Sequence, residues 1–329
     1  MSVVPHPTSK SAGLFALLVG DGRAPLAVVG LALIVAGGFA LFVAARGEFL
    51  PHDVAFLGMT PGELCAVNEC RVVHFMVHDR VAFGGTLVAI GLMYLWLVAG
   101  PMGRGERWAW DVLAASGGVG FASFLAYLGY GYLDTWHGAA TGVLAPLFLV
   151  GLFVSRRKIV WRATARRWLA RPAWFTSIRD RRCVGSALLL VASLGMIGGG
   201  VTITAVGITY VFVPEDVAFL GMGRAELDAL NPRLVPLIAH DRAGFGGAVC
   251  CCGVLLFGGV WRGEPDRAGR QALALAGVAG FGTAIFVHPA IGYTDVWHLT
   301  PAVGGATLFA LGWWLSGPPR SQSCGPVTP

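Results

Sequence analysis

APLAVVGLALIVAGGFALFVAA occupies residues 24–45 and contains no charged side chain. As a helix rising about 1.5 Å per residue, this run crosses the roughly 30 Å of bilayer hydrocarbon. Further runs without Asp, Glu, Lys or Arg lie at residues 81–101, 112–132, 136–154, 186–209, 243–261, 271–291 and 296–316. They are continuously apolar rather than alternating, which excludes a membrane β-barrel. The expected fold class is an all-α polytopic membrane protein of about eight transmembrane helices.

The bulk numbers agree. The chain has 329 residues, of which 55% are hydrophobic and 13% charged, and its mean hydropathy is +0.68. Soluble domains carry roughly a quarter charged residues. The net charge of +6 does not point to nucleic acid, because the basic residues sit in short segments between apolar runs. The expected partners are the lipid bilayer and a small lipophilic ligand. No cleavable leader is expected, because the first apolar run follows a polar tail and is long enough to span.

Orientation follows from arginine. Between Ser155 and Cys183 there are nine arginines and Lys158 against one acid, Asp180. The positive-inside rule places this loop in the cytoplasm, together with the loops holding Arg104 and Arg107, and Arg262, Arg267 and Arg270. An even number of spans puts both termini there too, in an inner or plasma membrane. Trp161, Trp168 and Trp174 interleave with the central arginines, as in an amphipathic segment lying along headgroups and broken at Pro172. The chain then divides into a cytoplasmic tail (1–23), a four-helix unit (24–154), the basic linker (155–183), a second four-helix unit (184–316) and a tail (317–329).

The two units resemble each other. Pro51-His52-Asp53-Val54-Ala55-Phe56-Leu57-Gly58-Met59 matches Pro214-Glu215-Asp216-Val217-Ala218-Phe219-Leu220-Gly221-Met222. His78-Asp79-Arg80 with Phe83-Gly84-Gly85 matches His240-Asp241-Arg242 with Phe245-Gly246-Gly247. Gly131-Tyr132-Leu133-Asp134-Thr135-Trp136-His137 matches Gly292-Tyr293-Thr294-Asp295-Val296-Trp297-His298. Matches in the same order at nearly constant spacing imply two tandem repeats of parallel topology, related by a pseudo-two-fold axis along the membrane normal. All three motifs fall on the extracytoplasmic side.

Within the first outer loop, Thr60-Pro61-Gly62-Glu63 reads as a capping box with proline at the first helical position. Gly223 and Glu226 take those roles in the second unit, and Asn68 and Asn231 suit the helix ends. Cys65 and Cys70 form a candidate disulfide, which the outer side permits. Asp228 and Arg233 stand at the matching positions, where an ion pair would replace it. Cys250, Cys251 and Cys252 read as packing residues.

Asp79, Asp241, Asp134 and Asp295 are expected as helix N-caps. Arg80 then needs Asp134 or Asp53, and Arg242 needs Asp295 or Asp216, because an unpaired cation is costly beside hydrocarbon. His78, His137, His240 and His298 are candidate ligands of a divalent metal or a haem, with Tyr132 and Tyr293 beside them. The same residues suit a proton relay, a quinone-type headgroup site or a purely structural network. His52, His74 and His288 occur in one unit only and are weaker candidates. The paired glycines predict that the second helices of the two units meet near the pseudo-axis and bring the His-Asp-Arg clusters together. These features leave open an outer-face binding protein, a metal-assisted hydrolase or oxidoreductase, and a transporter; against transport, the span centres are almost free of ionisable residues.

Overall fold

A computed structural model describes residues 20–125, 131–159, 172, 175, 180–263 and 266–317. Most of the basic linker, including Trp161, Trp168 and Trp174, and nearly all of both tails lie outside the described residues. Among those described there are helices and no strand. The first half contains α1 (Arg23–Ala45), α2 (Pro51–Leu57), α3 (Pro61–Val67), α4 (Arg71–Ala99), α5 (Arg107–Leu125) and α6 (Thr135–Ser155). The second contains α7 (Arg181–Ile208), α8 (Pro214–Leu220), α9 (Arg224–Leu230), α10 (Leu234–Arg262), α11 (Arg267–Ile291) and α12 (Val296–Ser316). The protein is a helical membrane protein. Among the described residues, six helices combine the length and apolarity to cross a bilayer: α1, α4, α6, α7, α10 and α11. The helices α5 and α12 fall outside this group; Arg107 and Asp111 open α5, and α12 includes His298 and Pro301.

The helices α4 and α10 form the centre of the bundle and are mostly buried, whereas the other apolar helices turn much of their surface outward. Their length corrects the sequence reading. The spans at 81 and 243 begin two to three turns earlier, at Arg71 and Leu234. Asp79 and Asp241 are therefore not N-caps, and Arg80 and Arg242 do not sit at helix starts. The apolar residues of Val72–Val77 and Val235–Ala239 continue the helical face, and protein rather than lipid surrounds them. Asp134 and Asp295 do cap, each accepting a backbone N–H from the first turn of α6 or α12.

Close packing uses the glycine pairs differently from the expected way. The helices α4 and α10 do touch, but each glycine faces another neighbour. A β-carbon on Gly84 would lie 2.9 Å from the Gly37 carbonyl of α1, and one on Gly85 would strike Thr283 of α11. Gly246 and Gly247 meet Thr204 of α7 and Ser123 of α5 in the same manner. Successive residues point about 100° apart around a helix, so an adjacent pair serves two partners.

The short helices form a polar-edged roof at one end of the bundle, over a second apolar core that includes Leu64, Phe75, Leu227 and Leu237. Thr60 and Glu63 make the capping box, and Glu226 closes on the Gly223 N–H at 2.6 Å. Asn68 and Asn231 end α3 and α9 and reach across reciprocally: Asn68 donates to the Leu220 carbonyl and Asn231 to the Leu57 carbonyl, both at 2.9 Å. Cys65 and Cys70 are disulfide-bonded. The expected Asp228–Arg233 pair does not form. Arg224 takes Asp228 one helical turn away, and Arg233 donates to the Phe56 carbonyl at 2.6 Å.

Candidate functional site

Every charged group of the His-Asp-Arg motifs lands at the end of the central helices that lies beside the short helices, and the two halves exchange partners there. Arg80 of α4 binds Asp53 of α2 at 2.8 Å and Asp241 of α10 at 3.0 Å. Arg242 of α10 binds Asp216 of α8 at 2.6 Å and Asp79 of α4 at 3.2 Å. Asp53 and Asp216 were among the expected partners; Asp134 and Asp295 serve α6 and α12 instead. The cross-pairs became possible because Asp79 and Asp241, lying inside helices, turn their carboxylates toward the facing helix.

The histidines exchange as well. Each unit of the sequence contributes two matched histidines, His78 with His137 and His240 with His298; the fold pairs across the units, His137 with His240 and His78 with His298. In one cluster the His137 Nδ1 lies 2.9 Å from an Asp134 oxygen and 3.0 Å from the His240 Nε2, which is 3.7 Å from the same carboxylate. His52 adds its Nε2 at 3.1 Å from Asp134. In the other cluster the His78 Nε2 faces the His288 Nε2 at 3.1 Å, with the His298 ring centre 5.7 Å from that of His78. His78, His288 and His298 each offer one nitrogen within 4.8 Å of the others, and so do the donors of Asp134, His137 and His240. The sequence reading ranked His52 and His288 low because each occurs in one half only. Their position beside matched motifs was the available signal. His74 joins neither donor group.

Hydrogen bonds set the ring tautomers. A carboxylate only accepts, so Asp79, 2.9 Å from the His78 Nδ1, holds the proton there and leaves Nε2 with its lone pair. Tyr293 donates to Asp216 at 2.8 Å. Its oxygen therefore accepts from the His298 Nδ1 at 3.0 Å, and the His298 Nε2 is the bare nitrogen. Burial and the adjacent Asp216 carboxylate push the Tyr293 phenol up, so it stays a donor. Tyr132 donates likewise to Asp53, its phenol raised by burial and by that carboxylate. Burial opposes ionisation of Asp134, but the hydrogen bonds and charge of His137, with the nearby His52, together outweigh it and hold this carboxyl well below the usual range.

This arrangement suits a metal ion. Carboxylate–histidine relays of the Asp79–His78 type orient imidazole ligands in metal sites. Donors bound at about 2.0–2.1 Å to one tetrahedral ion stand roughly 3.3 Å apart; the edges of the Asp134, His137, His240 triangle are 2.9, 3.0 and 3.7 Å. Around Arg80, the carboxylates of the buried Asp53 and the half-buried Asp241 face one guanidinium, a formal surplus of one negative charge. Around Arg242, two (Asp79, Asp216) leave a surplus of one. Excess buried charge of one sign costs several kcal/mol unless it is neutralised. A haem does not fit, because axial imidazoles need a macrocycle between them and these rings already touch.

No protein family, no curated protein and no solved structure matches the chain.

The two clusters differ in access. The Asp134 cluster is roofed by Trp136, which stacks on His52 and, at 6.5 Å between ring centres, on Phe39 of α1. The His78 cluster stands at the head of a cavity of about 770 Å³.

Proposed function

We propose that this chain is a metal-binding protein of an inner or plasma membrane, holding a transition-metal ion of the zinc or copper type at each of its two outer histidine clusters. The observation that carries the reading is the pair of largely buried donor triads. In one, Asp79 and Tyr293 leave His78 and His298 with bare Nε2 nitrogens, in a group whose donors lie within 4.8 Å of one another. In the other, His137 would give up the Nδ1 proton it now shares with Asp134 to bind an ion. Mixed imidazole and carboxylate donors suit divalent first-row metals. Three protein donors leave a coordination position open to a ligand, as in catalytic rather than closed structural sites. The runner-up is a polar network stabilised by protons shared among the histidines.

The reading includes eight spans in two tandem repeats. Supporting this, the order of one long helix, two short helices and three long helices recurs in both halves. At 19 and 21 residues, α5 and α12 reach about 30 Å at 1.5 Å per residue. Arginine then faces the cytoplasm, and the donor triads face outward.

Cobalt(II) tests it. Titration of the full chain in mild detergent is expected to give the visible bands of tetrahedral cobalt with nitrogen donors, saturating at two equivalents. His78→Ala and His137→Ala should each remove one. A spectrum no different from aqueous cobalt would remove the metal reading and favour the proton-sharing network.

A further inference from the structure

The cavity under the His78 cluster is not closed off from the bilayer. It runs between α4, α7, α10, α11 and α12, from His78 down to Met93 and Leu273. The fifteen residue-to-residue steps of α4 from His78 to Met93 correspond to a depth of about 22 Å. Its walls are apolar apart from the outer end. Its volume falls within the roughly 300–1,000 Å³ of small-molecule sites.

The lateral opening has a structural cause. At their cytoplasmic ends α7 and α12 touch backbone to backbone, where a β-carbon on Gly185 would lie 2.4 Å from the Ser316 nitrogen. Farther out they part. Gly195 and Gly199 of α7 and Gly304 of α12 line the cavity, and a β-carbon on any of them would meet nothing within 4 Å. In the first half an aromatic stack spans the corresponding place. Gly37 packs on Gly84 as Gly200 packs on Gly246, which sets Phe39 and Thr202 in matching places. Phe39 stacks on Trp136 and bridges α1 to α6, whereas Thr202 and Trp297 both line the open cavity.

From this we infer that the cleft between α7 and α12 admits a membrane-dissolved molecule with a long apolar body and a neutral oxygen head, a hydroxyl or carbonyl, which docks at His78, His288 and His298. The body is dictated by the walls. The head is dictated by charge. Arg242 already holds Asp79 and Asp216 and has no charge left for an anion. Glu215 adds a further negative group to the lining. With a divalent ion bound, these groups sum to zero (+2 and +1 against −3), so a neutral head preserves the balance; without one, an anion is still less welcome. The inference shares the histidines of the metal reading but stands on the cleft.

The test uses the full chain in nanodiscs and three photoreactive probes of equal chain length: a hexadecanol, a permanently ionised hexadecyl sulfonate and a headless hexadecane, each with a diazirine midway along the chain. Hexadecanol should label the outer halves of α7 and α12 at least tenfold more than either of the others. Gly304→Trp, which fills open space, should reduce that labelling at least tenfold at unchanged thermal stability, with Gly199→Phe as the second variant from the opposite wall. Equal labelling by the sulfonate or the alkane, or full hexadecanol labelling of both filled variants, would overturn the proposal. Metal content measured on the same samples separates the two readings. Gly304→Trp leaves all three histidines in place and should retain the metal. Loss of labelling in a protein that never held metal would leave the cleft standing and remove the metal site.

Discussion

Arg242→Ala is expected to destabilise the protein by about 3–5 kcal/mol, the cost of leaving a buried ionic network without its cation. Arg242 is 6% exposed and holds Asp216 and Asp79, which are 0% and 2% exposed. It also donates to the Val211 carbonyl at 2.6 Å and lies over the Phe75 ring. Removing it strands two carboxylates that belong to different halves, so the loss reaches both the outer roof and the central pair of helices. Arg242→Leu combined with Asp79→Asn and Asp216→Asn should recover most of the stability, because the unpaired charge rather than the missing contact dominates. Reversible unfolding in detergent measures the difference. A loss below about 1 kcal/mol, the scale of an exposed pair, would mean that the network is open to water.

Asp79→Asn is expected to weaken metal binding at the His78 cluster about 10–100-fold while leaving the Asp134 cluster at its original affinity. The amide can present an N–H to the His78 Nδ1, which then favours a proton on Nε2, the nitrogen needed as a ligand. Arg242 keeps Asp216, so the variant should fold. Competition against a chelator of known affinity resolves the two sites. Equal weakening at both clusters would show a global disturbance instead of a tautomer effect.

Much of this architecture was legible in the residues. Thr60 and Glu63 announce their capping box, Asp134 and Asp295 their helix starts, and Arg80 and Arg242 the need for Asp53 and Asp216. What stayed hidden has a common cause. Hydropathy marks where a helix meets lipid, and α4 and α10 sit inside the bundle; their outer turns run on through His-Asp-Arg, past the point at which a lipid-facing helix would end. That displaced Asp79 and Asp241 from the expected caps to the cross-pairs. Matching motifs showed what each half contains but not which half supplies the partner, so the exchange of histidines was invisible. His52 and His288 carry no repeat signature, and only the fold brings them to Asp134 and His78. The open cleft depends on absent side chains at Gly195, Gly199 and Gly304, a signal that hydropathy does not register.

The central claim is that buried imidazoles and carboxylates from both halves converge on metal ions at the outer ends of α4 and α10. Elemental analysis of the full chain, purified in mild detergent without chelator and re-equilibrated with zinc or copper, tests it most directly. The expected result is two tightly held ions per chain, one in His298→Ala, and none in the folded double variant His78→Ala with His137→Ala. A wild-type protein that is folded and holds no more metal than the double variant would contradict the account.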